Sequence, residues 1–438
     1  MKPSIKNIPS FYTDSPLNIV LLGSGAVCLG AFQTLVKKIA PLMIDGRVQL
    51  TLISKDDFHT SYGWMQECMT GLLDEPMLRV PVESCFRQAK RVIGSLVQVD
   101  PARRQIQVKE NQGVTVHHYD HLLIGDQFCG DASTIATDLG FPIQSALDMA
   151  KMKQELQILA EKAARSKDKF TAARHLRVTL VGNGLVAAEL AGTISVYLRQ
   201  LCRQQFVSVK PTIYLVTNEP SLQVSGPNAM AFKAYVSRVL KEEGIRVICN
   251  KELLRVNTDG AVLIDGSFIN CSLVFNANPF CGKQEPGLLS GAIPSLESDR
   301  YGHVINATDV WRLRGSLSRQ FKSPSSYIYN VKQGRLIGAN IAASICGKNE
   351  VALKTRESFL MANMGNGHAI SCINGWPLFG WLAAFLRGVY MLKYLLPQNR
   401  AKILRAIFSH LAGNLSLTSH RPDRAQYKPR MTFGEVAY

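Results

Sequence analysis

One repeated pattern restricts the fold of this chain more than any other feature. An apolar run, Leu17-Asn18-Ile19-Val20-Leu21-Leu22, ends in Gly23-Ser24-Gly25 and passes straight into a helix-like stretch reaching residue 38. The same order returns at Leu176-Arg177-Val178-Thr179-Leu180-Val181, followed by Gly182-Asn183-Gly184 and a long helical pattern. Strand, glycine turn and helix form a βα nucleotide-binding unit. The first glycine allows the tight bend, the second lets backbone approach a pyrophosphate, and the helix N-terminus meets its negative charge. Either turn alone is a weak signal, but two of them 159 residues apart are specific.

The predicted fold is therefore α/β, with two Rossmann-like dinucleotide-binding domains. Residues 48–53 and 211–216 read as the second strands of the two units, and 119–125 as a buried strand returning to the first. Shorter alternating segments at 92–99 and 105–108 are joined by the turn-like Asp100-Pro101. A helical pattern over 146–165 leads to a polar stretch, 165–175, that marks the candidate boundary. Beyond the second unit the spacing predicts a helix at 230–243, strands at 245–248 and 273–275, a hairpin at Asp259-Gly260 and a helix over 327–343.

Composition narrows the function classes. A chain of 438 residues with 46% hydrophobic and 19% charged residues is neither wholly disordered nor built mainly of membrane spans. Its net charge of +17 calls for an anionic partner: a phosphate-rich cofactor, an acidic lipid surface or nucleic acid. No nucleic-acid-binding module is present, so that partner is not expected. The ten cysteines include no CxxC pair, which favours a reducing compartment, and residues 1–16 lack the apolar core of a signal peptide. His59, His117, His118, His121 and His303 lack matching ligand spacings, so no metal site is expected. Nor is there a GxSxG elbow for serine hydrolase chemistry.

The C-terminus changes character. Residues 376–396 are almost all apolar or small, but Arg387 and Lys393 interrupt the run and its length would only just span a bilayer. Trp376, Trp381, Phe385, Tyr390 and Tyr394, with Arg400, Lys402 and Arg405 following, favour a helix lying in a membrane interface. From 387 to 438 there are nine Lys or Arg and two acids, a local +7 suited to anionic lipid.

The candidate cofactor-binding residues are Gly23, Gly25 and Cys28 in the first turn and Gly182, Gly184, Ala187 and Glu189 in the second. Each has a plainer alternative: the glycines as mere strand-to-helix turns, Cys28 as a small buried hydrophobe, Glu189 as a charge near a helix N-terminus rather than a contact to nicotinamide or its ribose. Ser54 and Thr217 stand where an acid would grip the ribose hydroxyls, with Asp56 and Asp57 two and three residues late in the first unit.

On these residues the chain resembles the type II NADH dehydrogenases, membrane-surface flavoproteins that pass electrons from NAD(P)H to quinone. Gly23-Ser24-Gly25 is similar to the FAD pyrophosphate turn of that family, and Phe58-His59 through Met69-Thr70-Gly71 to its loop toward the flavin. Val181-Gly182-Asn183-Gly184 with Glu189-Leu190-Ala191-Gly192 is similar to its NADH fingerprint, and Gly365-Asn366-Gly367-His368-Ala369 to the start of its membrane-facing region. The resemblance implies an FAD-type first domain made of 1–145 and 286–360, an inserted NAD(P)-type second domain over 146–285, a C-terminal membrane-associating region over 361–438, FAD and NAD(P)H as cofactors, and quinone as acceptor. It further implies a homodimer or protein partner and a peripheral place on the cytoplasmic face of the inner membrane in a bacterium.

Several positions depart from the family pattern. Besides Ser54, Thr217 and Cys28, no Gly-Asp pair occurs between 301 and 324, where Asp309 is an imperfect substitute. In Tyr327-Ile328-Tyr329-Asn330-Val331-Lys332-Gln333-Gly334, Ile328 and Lys332 replace two glutamines of the family's quinone segment. These losses leave open a degenerate flavoprotein-like scaffold without turnover that binds a membrane or protein partner, and also a soluble reductase for another acceptor.

Overall fold

A computed structural model describes residues 15–55, 57–71, 73–125, 139–143, 146–222, 224, 228–277, 297–313, 324–353, 359–373, 375–392, 401, 404 and 405. The run Ile19–Leu22 is fully buried because its strand is central in a sheet covered on both faces. That six-stranded sheet runs His303–Val304, Ala307–Arg312, His121–Ile124, Leu17–Leu22, Val48–Ser54, Lys90–Ile93. All its neighbours are parallel except the antiparallel pair at the first edge. On one face a three-stranded antiparallel sheet, Ser95–Asp100, Gln105–Glu110 and Gly113–His118, packs Val99, Ile106 and Val108 onto Val20 and Leu22. The other face is covered by helices Ala26–Lys38 and Pro324–Ile345. These two helices meet backbone to backbone. A Cβ on Gly30 would lie 2.1 Å from the Val331 carbonyl oxygen, and one on Gly334 2.0 Å from that of Val27. The late helix thus closes the early sheet, and its glycines are what permit the approach.

The second sheet is wholly parallel and five-stranded, in the order Phe141–Pro142, Leu273–Asn276, Arg177–Val181, Thr212–Val216, Ile245–Ile248. Helices Ala146–Ala164, Gly184–Gln204 and Ala229–Glu242 belong to this unit, and a small antiparallel sheet, Leu253–Asn257, Gly260–Leu263 and Phe268–Asn270, packs beside it. The polar stretch at 165–175 is not bare linker. It carries the short helix Lys169–His175, nucleated by Asp168, whose carboxylate accepts from the Phe170 and Thr171 amides at 2.8 Å each.

The C-terminal region opens as an antiparallel sheet, Phe359–Gly365, His368–Ile373 and Trp376–Phe379. Its first turn uses Gly365, Asn366 and Gly367 at φ +83°, +50° and +76°, which explains the glycine-rich motif there. The expected helix from 376 is corrected: Trp376 lies on a strand, and the helix is Gly380–Leu392. Among the described residues no helix is long and apolar enough to cross a membrane. Lys393, Tyr394, Arg400 and Lys402 lie outside the described residues.

Candidate functional site

Both glycine turns lie at the carboxyl ends of central strands, where strand order reverses; in open parallel sheets that is where ligands bind. In the first, Gly23 adopts φ +108° and its amide donates to the Ile53 carbonyl at 2.7 Å. Gly25 is the N-cap of Ala26–Lys38, with no capping side chain and no acid in the first turn. The helix end is thus left open for an anion. Cys28 is fully buried, its Sγ 3.5 Å from the Leu22 carbonyl oxygen, and a Cβ on Gly125 would lie 2.7 Å from that sulfur. The close packing expected of a third glycine is therefore shared between Cys28 and Gly125.

His59 fastens this turn to the rest of the domain. Its Nδ1 donates to the Ser24 carbonyl at 2.6 Å, since a carbonyl can only accept, and its Nε2 accepts from the Tyr327 hydroxyl at 2.9 Å. Burial holds its pKa below the usual histidine value, partly offset by the Ser24 bond, so the ring is neutral. Among the described residues no three His, Cys, Asp or Glu are grouped to hold a metal.

In the second turn, a Cβ on Gly182 would lie 3.0 Å from the Ala187 Cβ, and Gly184 starts its helix at φ +67°. Here too no side chain caps the helix and no acid stands in its first turn. Asn183 Oδ1 instead accepts from Thr217 Oγ at 2.5 Å, and its Nδ2 donates to Asn218 Oδ1 at 2.8 Å. A neutral amide network thus fills the place of the ribose acid. Glu189 is buried, and its Oε1 accepts from the Asn363 amide at 2.8 Å, tying this helix to the C-terminal sheet. Three residues later, a Cβ on Gly192 would lie 2.3 Å from the Met364 carbonyl oxygen.

Among the lost acids, Ser54 is buried with its carbonyl accepting from the Gly94 amide at 2.9 Å, Asp57 is exposed, and Asp56 lies outside the described residues. Asp309 is no substitute for the late Gly-Asp. Val310 is level with Leu122 and Val20, so Asp309 sits below the strand ends, where it pairs with Arg104 at 2.6 Å. The residue level with Leu22 is Arg312.

Two polar pairs escaped the sequence reading. Arg387, only 2% exposed, donates to Glu67 Oε1 at 2.5 Å and to the Gly63 carbonyl at 3.4 Å. Burial works against its charge, but Glu67 and Glu189 outweigh that and raise its pKa. Lys332 Nζ donates to the Tyr390 hydroxyl oxygen at 3.0 Å. The signal available was the spacing of Ala383, Arg387 and Tyr390, which marks one helix face inside an otherwise apolar run.

Two parallel sheets, each with an uncapped glycine turn at its switch point, define a two-dinucleotide-fold protein. The family described as pyridine nucleotide-disulphide oxidoreductase matches residues 17–278, more than half of the chain, and the chain belongs to that family. It is 22% identical over 391 residues to the type II NADH:quinone oxidoreductase of Staphylococcus aureus, covering 85% of this chain and 93% of that protein. Its fold matches the structure of NDH2 from Plasmodium falciparum in complex with NADH, with a TM-score of 0.70 at 12% identity over 90% of this chain and 97% of that one. It also matches the sulfide:quinone oxidoreductase of Aquifex aeolicus, with a TM-score of 0.65 at 15% identity over 88% and 92% of the two chains.

Proposed function

We propose that the chain is a membrane-surface, FAD-dependent NAD(P)H:quinone oxidoreductase. The observation that carries the reading is the pair of open, acid-free helix ends in one chain, each placed where a diphosphate binds. Gly23 and Gly25 hold the FAD diphosphate with Cys28 packed behind their turn, and Gly182 and Gly184 hold that of NAD(P)H with Ala187 packed behind theirs. FAD bound there supplies the two-electron chemistry between nicotinamide and acceptor, while the protein supplies binding and orientation. Glu189 fixes the second helix rather than the nucleotide. The type II NADH:quinone oxidoreductases among the relatives support quinone as acceptor.

The C-terminal helix supports the membrane surface. Trp381 and Phe385 are 73% and 61% exposed on its outer face, and Trp376 is 76% exposed beside it. Ala383, Arg387 and Tyr390 face inward. A helix that shows its apolar side outward and buries an arginine is arranged for lipid rather than water. If the source is a bacterium, the cytoplasmic leaflet of its inner membrane, with its anionic lipid, suits the basic tail.

The test is to supply FAD to the purified protein, record the flavin band, then add NADH or NADPH without oxygen and finally a quinone. The expected sequence is binding, bleaching and recovery. Failure to bind FAD overturns the reading in favour of the scaffold, which loss of both ribose acids favours.

A further inference from the structure

A chain of side chains joins the second glycine turn to the strand beside it. Thr217 directly follows the strand Thr212–Val216 and is 1% exposed. Its amide donates to the Ile248 carbonyl at 2.9 Å and its carbonyl accepts from the Lys251 amide at 3.0 Å, so only its side chain is left to meet the turn. Thr217 Oγ accepts from the Glu219 amide at 3.2 Å and gives its own proton to Asn183 Oδ1 at 2.5 Å. Asn183 Nδ2 in turn donates to Asn218 Oδ1 at 2.8 Å.

The direction of these bonds decides what the site presents at each end. Asparagine is a favoured helix cap, but Thr217 holds the Asn183 oxygen, so Asn183 makes no capping bond at the start of Gly184–Gln204 and the helix amides stay open. At the other end, Asn218 is exposed and its oxygen is taken, so it offers its two N–H donors outward. An acid at the end of this strand accepts from the ribose hydroxyls and repels a phosphate carried on them. An amide turned with its donors outward does the reverse. The flanking charges balance: Glu219 and Asp265 stand against Lys233 and Lys251, with Lys251 paired to Asp265 and Lys233 Nζ donating to Ser221 Oγ at 2.7 Å.

We infer that the second site takes the 2′-phosphorylated dinucleotide, NADPH, at least as readily as NADH, with Asn218 donating to the 2′-phosphate; this rests on the dinucleotide reading above. The 2′-hydroxyl of NADH can still accept one of the same N–H groups, so the site stays open to it. A phosphate presents several oxygens and negative charge to those donors and makes the stronger bond. Asn218 thus determines specificity on the adenosine side of the diphosphate. It selects which carrier delivers the electrons and takes no part in their transfer.

The experiment is a calorimetric titration of the full chain, supplied with FAD, at physiological ionic strength. The probes are 2′,5′-ADP, 3′,5′-ADP and 5′-AMP, none of which carries a nicotinamide. Each titration is repeated in excess NAD+, which suppresses binding at the second site. The wild type binds 2′,5′-ADP at least as tightly as 5′-AMP, and more tightly than 3′,5′-ADP, which has the same charge on the neighbouring carbon. Asn218→Asp is nearly isosteric and exposed; it weakens 2′,5′-ADP by about tenfold or more, the scale of a hydrogen bond to a charged group, while 5′-AMP binds as well as before or better. Asn218→Ala weakens 2′,5′-ADP in the same direction. A wild type that prefers 5′-AMP, or binds the two bisphosphates equally, overturns the inference alone. So does an unchanged ratio of 2′,5′-ADP to 5′-AMP affinity in Asn218→Asp. A wild type that binds neither NAD+ nor any of the three probes overturns the dinucleotide reading and the inference with it.

Discussion

Arg387 and Glu67 lie 320 residues apart in sequence, yet each is the other's ion partner in a buried setting. Removing one partner leaves an uncompensated charge, so Glu67→Leu or Arg387→Met alone is expected to cost about 3–5 kcal/mol in urea unfolding, with the double variant recovering much of it. Gly192 is fixed by the Met364 carbonyl opposite it. Gly192→Val forces overpacking and is expected to cost about 1–3 kcal/mol in the same measurement. His59 gives a pH dependence. Its folded pKa lies below the usual value, so its contribution is complete above about pH 6.5 and declines as pH falls from there toward the folded pKa. His59→Asn is expected to flatten this acid limb of the melting temperature; an unchanged slope assigns the limb elsewhere. Few of these roles were legible in sequence. The glycines at 23, 25, 182 and 184 announce themselves because a turn needs them locally. Arg387, Lys332 and His59 do not, since their partners are set by tertiary packing.

At the scale of elements, the Gly380–Leu392 helix carries its polarity reversed, with Trp381 and Phe385 outward. Replacing Trp376, Trp381 and Phe385 together by serine is expected to abolish pelleting with anionic vesicles, with an unchanged far-UV spectrum showing that the fold survives. The strand Ile245–Ile248 is legible at its bounds, because its short apolar run sits behind a glycine. The start of the C-terminal helix is not legible in sequence, because an aromatic strand and an apolar helix look alike in composition and the turn between them needs only Gly380 at φ +68°. The helix Lys169–His175 is hard to see in sequence because its signal is one capping carboxylate rather than an apolar period.

For the whole molecule, the duplication was legible because each unit repeats the same local order of strand, glycine turn and helix. The return of a late helix to cover the early sheet was implied only by resemblance, since no local pattern states which sheet Pro324–Ile345 will cover. Several contacts bind the second unit to the C-terminal sheet: Glu189 to the Asn363 amide, Asn228 to the Gly375 carbonyl at 2.9 Å, and Phe379 with its ring tilted against those of Phe232 and Tyr235. The basic tail predicts a salt response. Vesicle binding is expected to weaken steeply between low and physiological ionic strength, as co-sedimentation would show, because attraction of exposed cations fades within a Debye length of about 8–10 Å.

The close seat of Gly192 on Met364 has a spatial consequence. With that helix in direct contact with the hairpin that precedes Gly380–Leu392, the proposed membrane binding through Gly380–Leu392 would hold the second unit at a fixed distance from the lipid surface. Under the proposed function, a soluble electron donor would then meet its site from water while a lipid-soluble acceptor is met at the membrane face, each on its own side of the C-terminal sheet.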